Sequence, residues 1–189
     1  MIFDQYVNEH MRVMSGFTAE FSLKINQAID LINLTFRNSN KVLICGNGGS
    51  AADSQHFAAE FLNTINKNSK RRGLPAIALT TNSSAITARA NDQSFEDVFA
   101  RQIDALGNTG DILIAITTSG TSKNVIEAIK QAKSKDMKVI ALTGINGIKG
   151  LNVDMELRVP SNNTQHIQEA HVMIYHYICL AVEKLHIEN

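Results

Sequence analysis

His56 and Glu60, in the segment SQHFAAEF, and Gln168 and His176, in IQEAHVMIYH, are the side chains whose types and spacing best suit chemistry. Offsets of four and eight residues bring a 3.6-residue helix back to within roughly 40° and 80° of its starting direction, so each pair shares one side of its helix. Imidazole, carboxylate and carboxamide together suit a borderline divalent metal such as zinc, and a carboxylate beside an imidazole can move protons. Taken alone, a helical His-Glu pair is usually a surface ion pair. The setting favours an enzyme: His56 and Glu60 follow directly on a glycine-rich turn, and a second turn rich in Ser and Thr comes later.

Those two turns need a scaffold. Short apolar runs at 41–46 (KVLICG), 76–80 (AIALT), 111–117 (DILIAIT), 138–144 (KVIALTG) and 155–160 (MELRVP) lack polar alternation, as strands of a parallel sheet buried on both faces do. Helical segments near 50–65, 94–106, 121–135 and 164–187 fill the crossovers. The fold class is therefore α/β, a three-layer sandwich with a five-stranded parallel sheet of flavodoxin-like order. Ahead of it, Phe3, Val7, Met11, Met14, Phe17, Phe21, Ile25, Ala28 and Ile32 recur at helical spacing, and Gly16 followed by Thr18 predicts two helices with Thr18 as N-cap. The whole reads as one unit, 1–189, made of a helical oligomerisation element over 1–38 and an α/β core over 39–189; no linker or repeat argues for a second domain.

In a 2-1-3-4-5 sheet, ligands bind beyond the strand carboxyl ends, between the first and third strands. The first strand ends in GNGGS and the third in TTSGTS. Gly46, Gly48 and Gly49 let backbone approach a ligand, and the helix that opens there offers amides to an anion. Thr117, Thr118, Ser119, Thr121 and Ser122 surround Gly120 with hydroxyls, a neutral cradle suited to a phosphate monoester. Either loop alone could be a plain strand-to-helix turn; two on one crevice favour phosphate. GNGGS lacks the Lys of a P-loop and is not a GxGxxG fingerprint.

Composition sets the remaining bounds. At 189 residues, 44% hydrophobic and 19% charged, the chain can bury a sizeable core. Eighteen basic and eighteen acidic residues give zero formal charge, so neither a nucleic-acid nor another polyanion surface is expected. No run is apolar enough to span a bilayer and the start, MIFDQYVNEHM, has no signal-peptide core, which points away from the membrane and to the cytoplasm. Cys45 and Cys179 lack metal-ligand spacing and read as buried, reduced thiols.

The ordered combination of CGNGGS, HFAAE, AND (90–92), TSGTS and IQEAHVMIYH resembles the sugar isomerase (SIS) domain proteins, and among them the phosphoheptose isomerases, over nearly the whole chain. The resemblance implies interconversion of sedoheptulose 7-phosphate and glycero-manno-heptose 7-phosphate, the first step towards activated heptose for bacterial surface polysaccharide such as lipopolysaccharide. It implies one zinc per subunit on His56, Glu60, Gln168 and His176, with Glu60 and His176 as the proton-transfer pair. Asn47, Gly48, Gly49, Glu60, Asn91, Asp92 and Gln168 would touch the substrate; Thr117, Thr118, Ser119 and Ser122 would hold the phosphate, with Ser50 close by. A homotetramer with sites near subunit interfaces is implied too, and the long N-terminal apolar stripe suits it.

The chain departs from the family where Asn63 and Thr64, before the basic Lys67, Lys70, Arg71 and Arg72, replace a usual Gly-Arg; where Gln165 and His166 precede Ile167; and where Arg89 precedes the AND triplet. His166 reads as an exposed loop histidine, and His10, His171 and His186 as helix-surface or packing residues. Two other readings are a non-catalytic scaffold of the same fold that binds the bacterial replication initiator, and a sugar-phosphate sensor. The scaffold family generally lacks counterparts of Glu60 and His176, and both are present here.

Overall fold

The computed structural model describes residues 2–187; Met1, Glu188 and Asn189, the ends of the expected 1–189 unit, lie outside the described residues. The chain opens with α1 (Phe3–Ser15) and α2 (Ala19–Arg37). The break falls where the sequence puts it: the Gly16 N–H turns back to Val13 O, and Thr18 Oγ1 accepts from Phe21 N at 3.2 Å. Of the two, α2 is the core helix, burying Ile25, Ala28, Ile29, Ile32 and Phe36, whereas α1 buries only Val13.

Five strands follow, β1 (Val42–Gly46), β2 (Ala76–Ala78), β3 (Ile112–Thr117), β4 (Lys138–Thr143) and β5 (Met155–Arg158). They form one parallel sheet in the order β2-β1-β3-β4-β5, with Val42 opposite both Ala76 and Ile112. The connections carry α3 (Gly49–Leu62), α4 (Ser83–Asp92), α5 (Ala100–Leu106) and α6 (Lys123–Ser134), and α7 (Thr164–Leu185) closes the chain. Successive strand residues point to opposite faces. Ile44, Ile114, Ile116 and Leu142 meet Phe57, Phe61, Tyr175 and Ile178 of α3 and α7, whereas Leu43, Cys45, Leu113 and Ala141 meet Ile103 of α5 and Val125 and Ile129 of α6. That division is why the strand runs are apolar at every position; each buried Ile or Leu contributes roughly 1.5–3 kcal/mol. Cys45 and Cys179 are both buried and free, and burial pushes the Cys45 thiol up to about 12 and that of Cys179 higher still.

Two local expectations are corrected and one helix is added. The continuous helix expected over 94–106 is a 3-10 turn, Phe95–Asp97, followed by α5, because Ser94 Oγ accepts from Glu96 N at 3.0 Å and starts a separate turn. The segment before it forms α4, which has no apolar periodicity to betray it since it buries no residue; Asn82 Oδ1 caps it by accepting from Ala85 N at 3.0 Å. His166 is not an exposed loop residue: it lies in the first turn of α7 and is fully buried.

Within the basic run, Arg71 is a structural residue. Its guanidinium donates to Glu183 Oε2 at 3.0 Å, to Phe61 O at 2.8 Å and to Glu60 O at 2.7 Å. Glu183 also accepts from the amides of Ile65 and Asn66, so the loop after α3 is wrapped around one satisfied, buried ion pair. Breaking one partner of such a pair costs far more than the pair contributes. Arg89, the other departure, pairs with Asp97.

His171 offers a test of the core. It is fully buried on α7, its Nε2 lies 3.3 Å from Thr143 O, and burial pulls its imidazole down from 6.5 to about 4. Between those values the unfolded chain binds more protons than the folded one, so stability is present above the unfolded pKa and is lost as pH falls. From pH 7 to pH 4 this group should remove up to about 3 kcal/mol of unfolding free energy. Urea titrations across that range should show a shallower pH slope in His171→Gln; an identical slope would exclude the residue as the source.

Candidate active site

β1 and β3 are neighbours whose following helices leave on opposite sides, so the sheet opens between their carboxyl ends. The chain leaves β1 through Asn47 and Gly48, the latter at φ +57° and ψ −121°, a conformation essentially confined to glycine. Gly49 is glycine for a different reason: a Cβ there would fall 2.5 Å from Gln168 Nε2, so the Gln168 carboxamide lies directly against this turn. After β3, Gly120 stands at φ +69°, and a Cβ would fall 1.8 Å from Gly147 O. The two loops are tied by a reciprocal amide pair, in which Asn47 Nδ2 donates to Asn124 Oδ1 and Asn124 Nδ2 to Asn47 Oδ1, each at 2.8 Å.

The hydroxyls of the second loop converge. Thr117 Oγ1 lies 3.1 Å from Ser122 Oγ and 3.4 Å from Ser119 Oγ, and the amides of Gly120 and Thr121 point at Thr117 Oγ1 and Ser119 Oγ. Thr118 is half-buried beside them, and α6 begins immediately after Ser122. A neutral cluster of hydroxyls at a helix start has the chemistry to receive an anion. Ser50 is buried beneath Gly46, a first-turn residue of α3 behind the loop.

On the flank formed by α3 and α7, His56 Nε2 lies 3.2 Å from Glu60 Oε1 and 3.3 Å from His176 Nε2. All three donor atoms fall within 4.8 Å of one another. Two imidazole Nε2 atoms at that distance need a proton or a cation between them. His56 Nδ1 lies 2.8 Å from Tyr175 Oη, and burial, then the charges of Asp53 and Glu60, push the phenol well above its usual range and keep it neutral. A neutral phenol oxygen can accept from Nδ1–H and leave the Nε2 lone pair facing Glu60 and His176. Burial likewise raises Asp53, one turn before His56, to about 6, against the pull of His56. Among the described residues its Oδ2 has no hydrogen-bond partner. Two imidazoles and a carboxylate this close fit a divalent metal such as zinc, whereas Gln168, eight residues before His176 and about 12 Å along α7 from it, lies against Gly49 instead.

The structure therefore forms two groups from the sequence-derived residues: Asn47, Gly48, Gly49 and Gln168 at the turn after β1, tied through Asn124 to the start of α6 behind the 117–122 loop, and His56, Glu60 and His176 on the α3–α7 flank. Asn91 and Asp92 are not gathered. They are exposed at the end of α4, bonded to one another at 2.8 Å, and among the described residues no hydrogen bond joins them to either loop. Sequence reasoning missed Asn124, Asp53 and Tyr175. Tyr175 immediately precedes His176 inside the motif, but its role needs His56, 119 residues away, to be visible.

The SIS domain family model matches residues 5–144. The phosphoheptose isomerase of Helicobacter pylori strain P12 is 50% identical over 162 residues, 85% of this chain and 83% of that protein. The solved structures of phosphoheptose isomerases from Neisseria gonorrhoeae and Francisella tularensis superpose with TM-scores of 0.86 and 0.88. They are 42% and 40% identical, and in each case 96% of both chains is covered.

Removing the Tyr175 hydroxyl isolates its part in the donor set. Tyr175→Phe should weaken zinc affinity by about 10- to 100-fold, as loss of a ligand's supporting hydrogen bond does, with the circular dichroism spectrum unchanged. Competition against a chromogenic chelator measures this; parental affinity would release Tyr175 from the role.

Proposed function

The chain belongs to the phosphoheptose isomerases of the SIS domain family, and we propose that it converts D-sedoheptulose 7-phosphate to D-glycero-D-manno-heptose 7-phosphate through an enediolate. The observation that supports the reading is the grouping of His56, Glu60 and His176 on α3 and α7, in a chain that also clusters hydroxyls in the loop after the neighbouring strand. Moving a carbonyl between C1 and C2 requires a carbon-bound proton to leave and a proton to return to the neighbouring carbon. The Glu60 carboxylate acts on the carbon side, and His176 supplies or relays the proton on the oxygen side. Thr117, Thr118, Ser119 and Ser122 hold the phosphate several bonds away, which places C1 and C2 over that pair. Asn47, Gly48 and Gly49 line the path between, with Ser50 behind them. Zinc, one per subunit, would be held by His56, Glu60 and His176, and when bound would polarise the carbonyl and offset enediolate charge.

A homotetramer is part of the proposal. Phe3, Val7 and Met11 on α1, Leu23 and Leu34 on α2, and Met173, Tyr177 and Leu180 on α7 are exposed on the single chain, which supports burial of the 1–38 element against other subunits. Asn91 and Asp92, apart from the crevice of their own chain, would meet substrate in a site completed at such an interface. Among the described residues no helix is long and apolar enough to cross a membrane, which supports a cytoplasmic enzyme feeding activated-heptose synthesis for surface polysaccharide. The scaffold alternative leaves Glu60 and His176 without a chemical role.

Incubation with sedoheptulose 7-phosphate, followed by NMR, should reveal the aldose; its absence sinks the proposal. Glu60→Gln and His176→Gln should each lower turnover by about 10²- to 10⁴-fold with the fold intact. Ser119→Ala with Ser122→Ala should weaken substrate binding by roughly 1–3 kcal/mol for each charge-assisted hydrogen bond lost. Zinc content should not change. Parental affinity by calorimetry would move the phosphate site elsewhere.

A further inference from the structure

A second group of donors lies where α1 meets the start of α7. His10 Nδ1 is 2.7 Å and His166 Nδ1 is 2.9 Å from the same oxygen, Glu169 Oε2, and Tyr6 donates its hydroxyl proton to Glu169 Oε1. Although burial alone would raise Glu169, hydrogen bonds from Tyr6, His166 and His10 hold its carboxyl down to about 2. His10 and Glu169 are each about one-third exposed, whereas His166 is fully buried.

The environment of His166 does not close by hydrogen bonding alone. Among the described residues its buried Nε2 has no hydrogen-bond partner, and the nearest carboxylate oxygen, Glu9 Oε2, is 3.9 Å away. A single ring proton on Nδ1 serves Glu169 and leaves a buried lone pair directed towards Glu9; a proton on Nε2 turns a lone pair on Glu169 instead; protons on both nitrogens serve Glu169 and leave Nε2–H 3.9 Å from Glu9, beyond hydrogen-bond distance. A divalent cation at Nδ1 takes that lone pair and fixes the proton on Nε2, which Glu9 accepts once it closes, the carboxylate–histidine–metal arrangement.

We propose that His10, His166 and Glu169 form a second divalent transition-metal site, with Glu9 accepting from His166 Nε2–H and Tyr6 holding the other oxygen of Glu169. Bonds of about 2.0–2.2 Å in tetrahedral geometry set ligand atoms about 3.3–3.5 Å apart, so the three donors need to open by roughly half an ångström. His10, on the rim, has the freedom to do so and leaves a fourth position to water. The role of the site is structural. Because α1 buries only Val13, the ion would clasp to α7 a helix that little else in the single chain holds.

The test is zinc stoichiometry by elemental analysis, after dialysis of the purified protein against buffered free zinc. The parent should hold two ions per chain, His10→Gln one, His56→Gln with His176→Gln one, and the triple variant none. Zinc should raise the melting temperature of the His56→Gln, His176→Gln protein and not that of the triple variant. His10→Gln sits on a partly exposed residue, so its folding is not at issue. A parental count unchanged by His10→Gln overturns the second site, whether or not the first is filled. A single ion lost with His10→Gln and retained in His56→Gln with His176→Gln supports this site and removes the metal from the catalytic crevice. No zinc in the parent overturns both.

Discussion

The stack of Phe57 on Tyr175, with ring centroids 5.1 Å apart and planes 19° from parallel, seats α3 on α7. Each ring is next in sequence to a donor of the candidate metal set, Phe57 to His56 and Tyr175 to His176. The buried apolar contact therefore sets the separation of the polar groups beside it. At the far end of the same helix pair, Arg71 grips the last carbonyls of α3 and the Glu183 carboxylate of α7, so the two helices are fixed at both ends of the trio. Interiors are close-packed and transmit strain, so a volume change at Phe57 or Phe61 would be felt as misplaced ligands before it was felt as unfolding.

The proposed phosphate end is built on a different physical basis. No lysine or arginine belongs to the 117–122 loop; Thr117, Ser119 and Ser122 instead present oriented dipoles whose positions are set by Gly120 against Gly147 and by the Asn47–Asn124 pair. A rigid neutral cradle recognises an anion by geometry, and it leaves the charge of the crevice to the groups that handle protons. On the proposed reading the loop after β3 anchors while helices α3 and α7 carry the reacting groups, and the paired asparagines hold the turn after β1 against the start of α6.

Legibility in the sequence followed periodicity and locality. The five strands were readable because burial on both faces makes every position apolar, and the α1–α2 break was readable because Gly16 and the Thr18 cap act within three residues. The closeness of His56 and Glu60 was readable from their four-residue offset, whereas their meeting with His176 depends on α3 packing on α7. α4 was not readable, since a helix that buries nothing has no hydrophobic stripe. The same limit hid His166, Asn124 and Tyr175, whose surroundings depend on residues 77 to 160 positions away. His166 looks like a loop residue only while Glu9 and Tyr6 are out of sight.

Cys179 follows His176 by one helical turn and feels the Glu60 carboxylate, so a sulfur lies near a set of nitrogen and oxygen donors. A thiolate there would be a soft competitor for a borderline cation and a target for peroxide. Burial beneath the sheet keeps it protonated, as it does Cys45. A protonated thiol is a poor nucleophile and a poor ligand, so the burial that builds the hydrophobic core also keeps this sulfur from competing with the neighbouring nitrogen and oxygen donors.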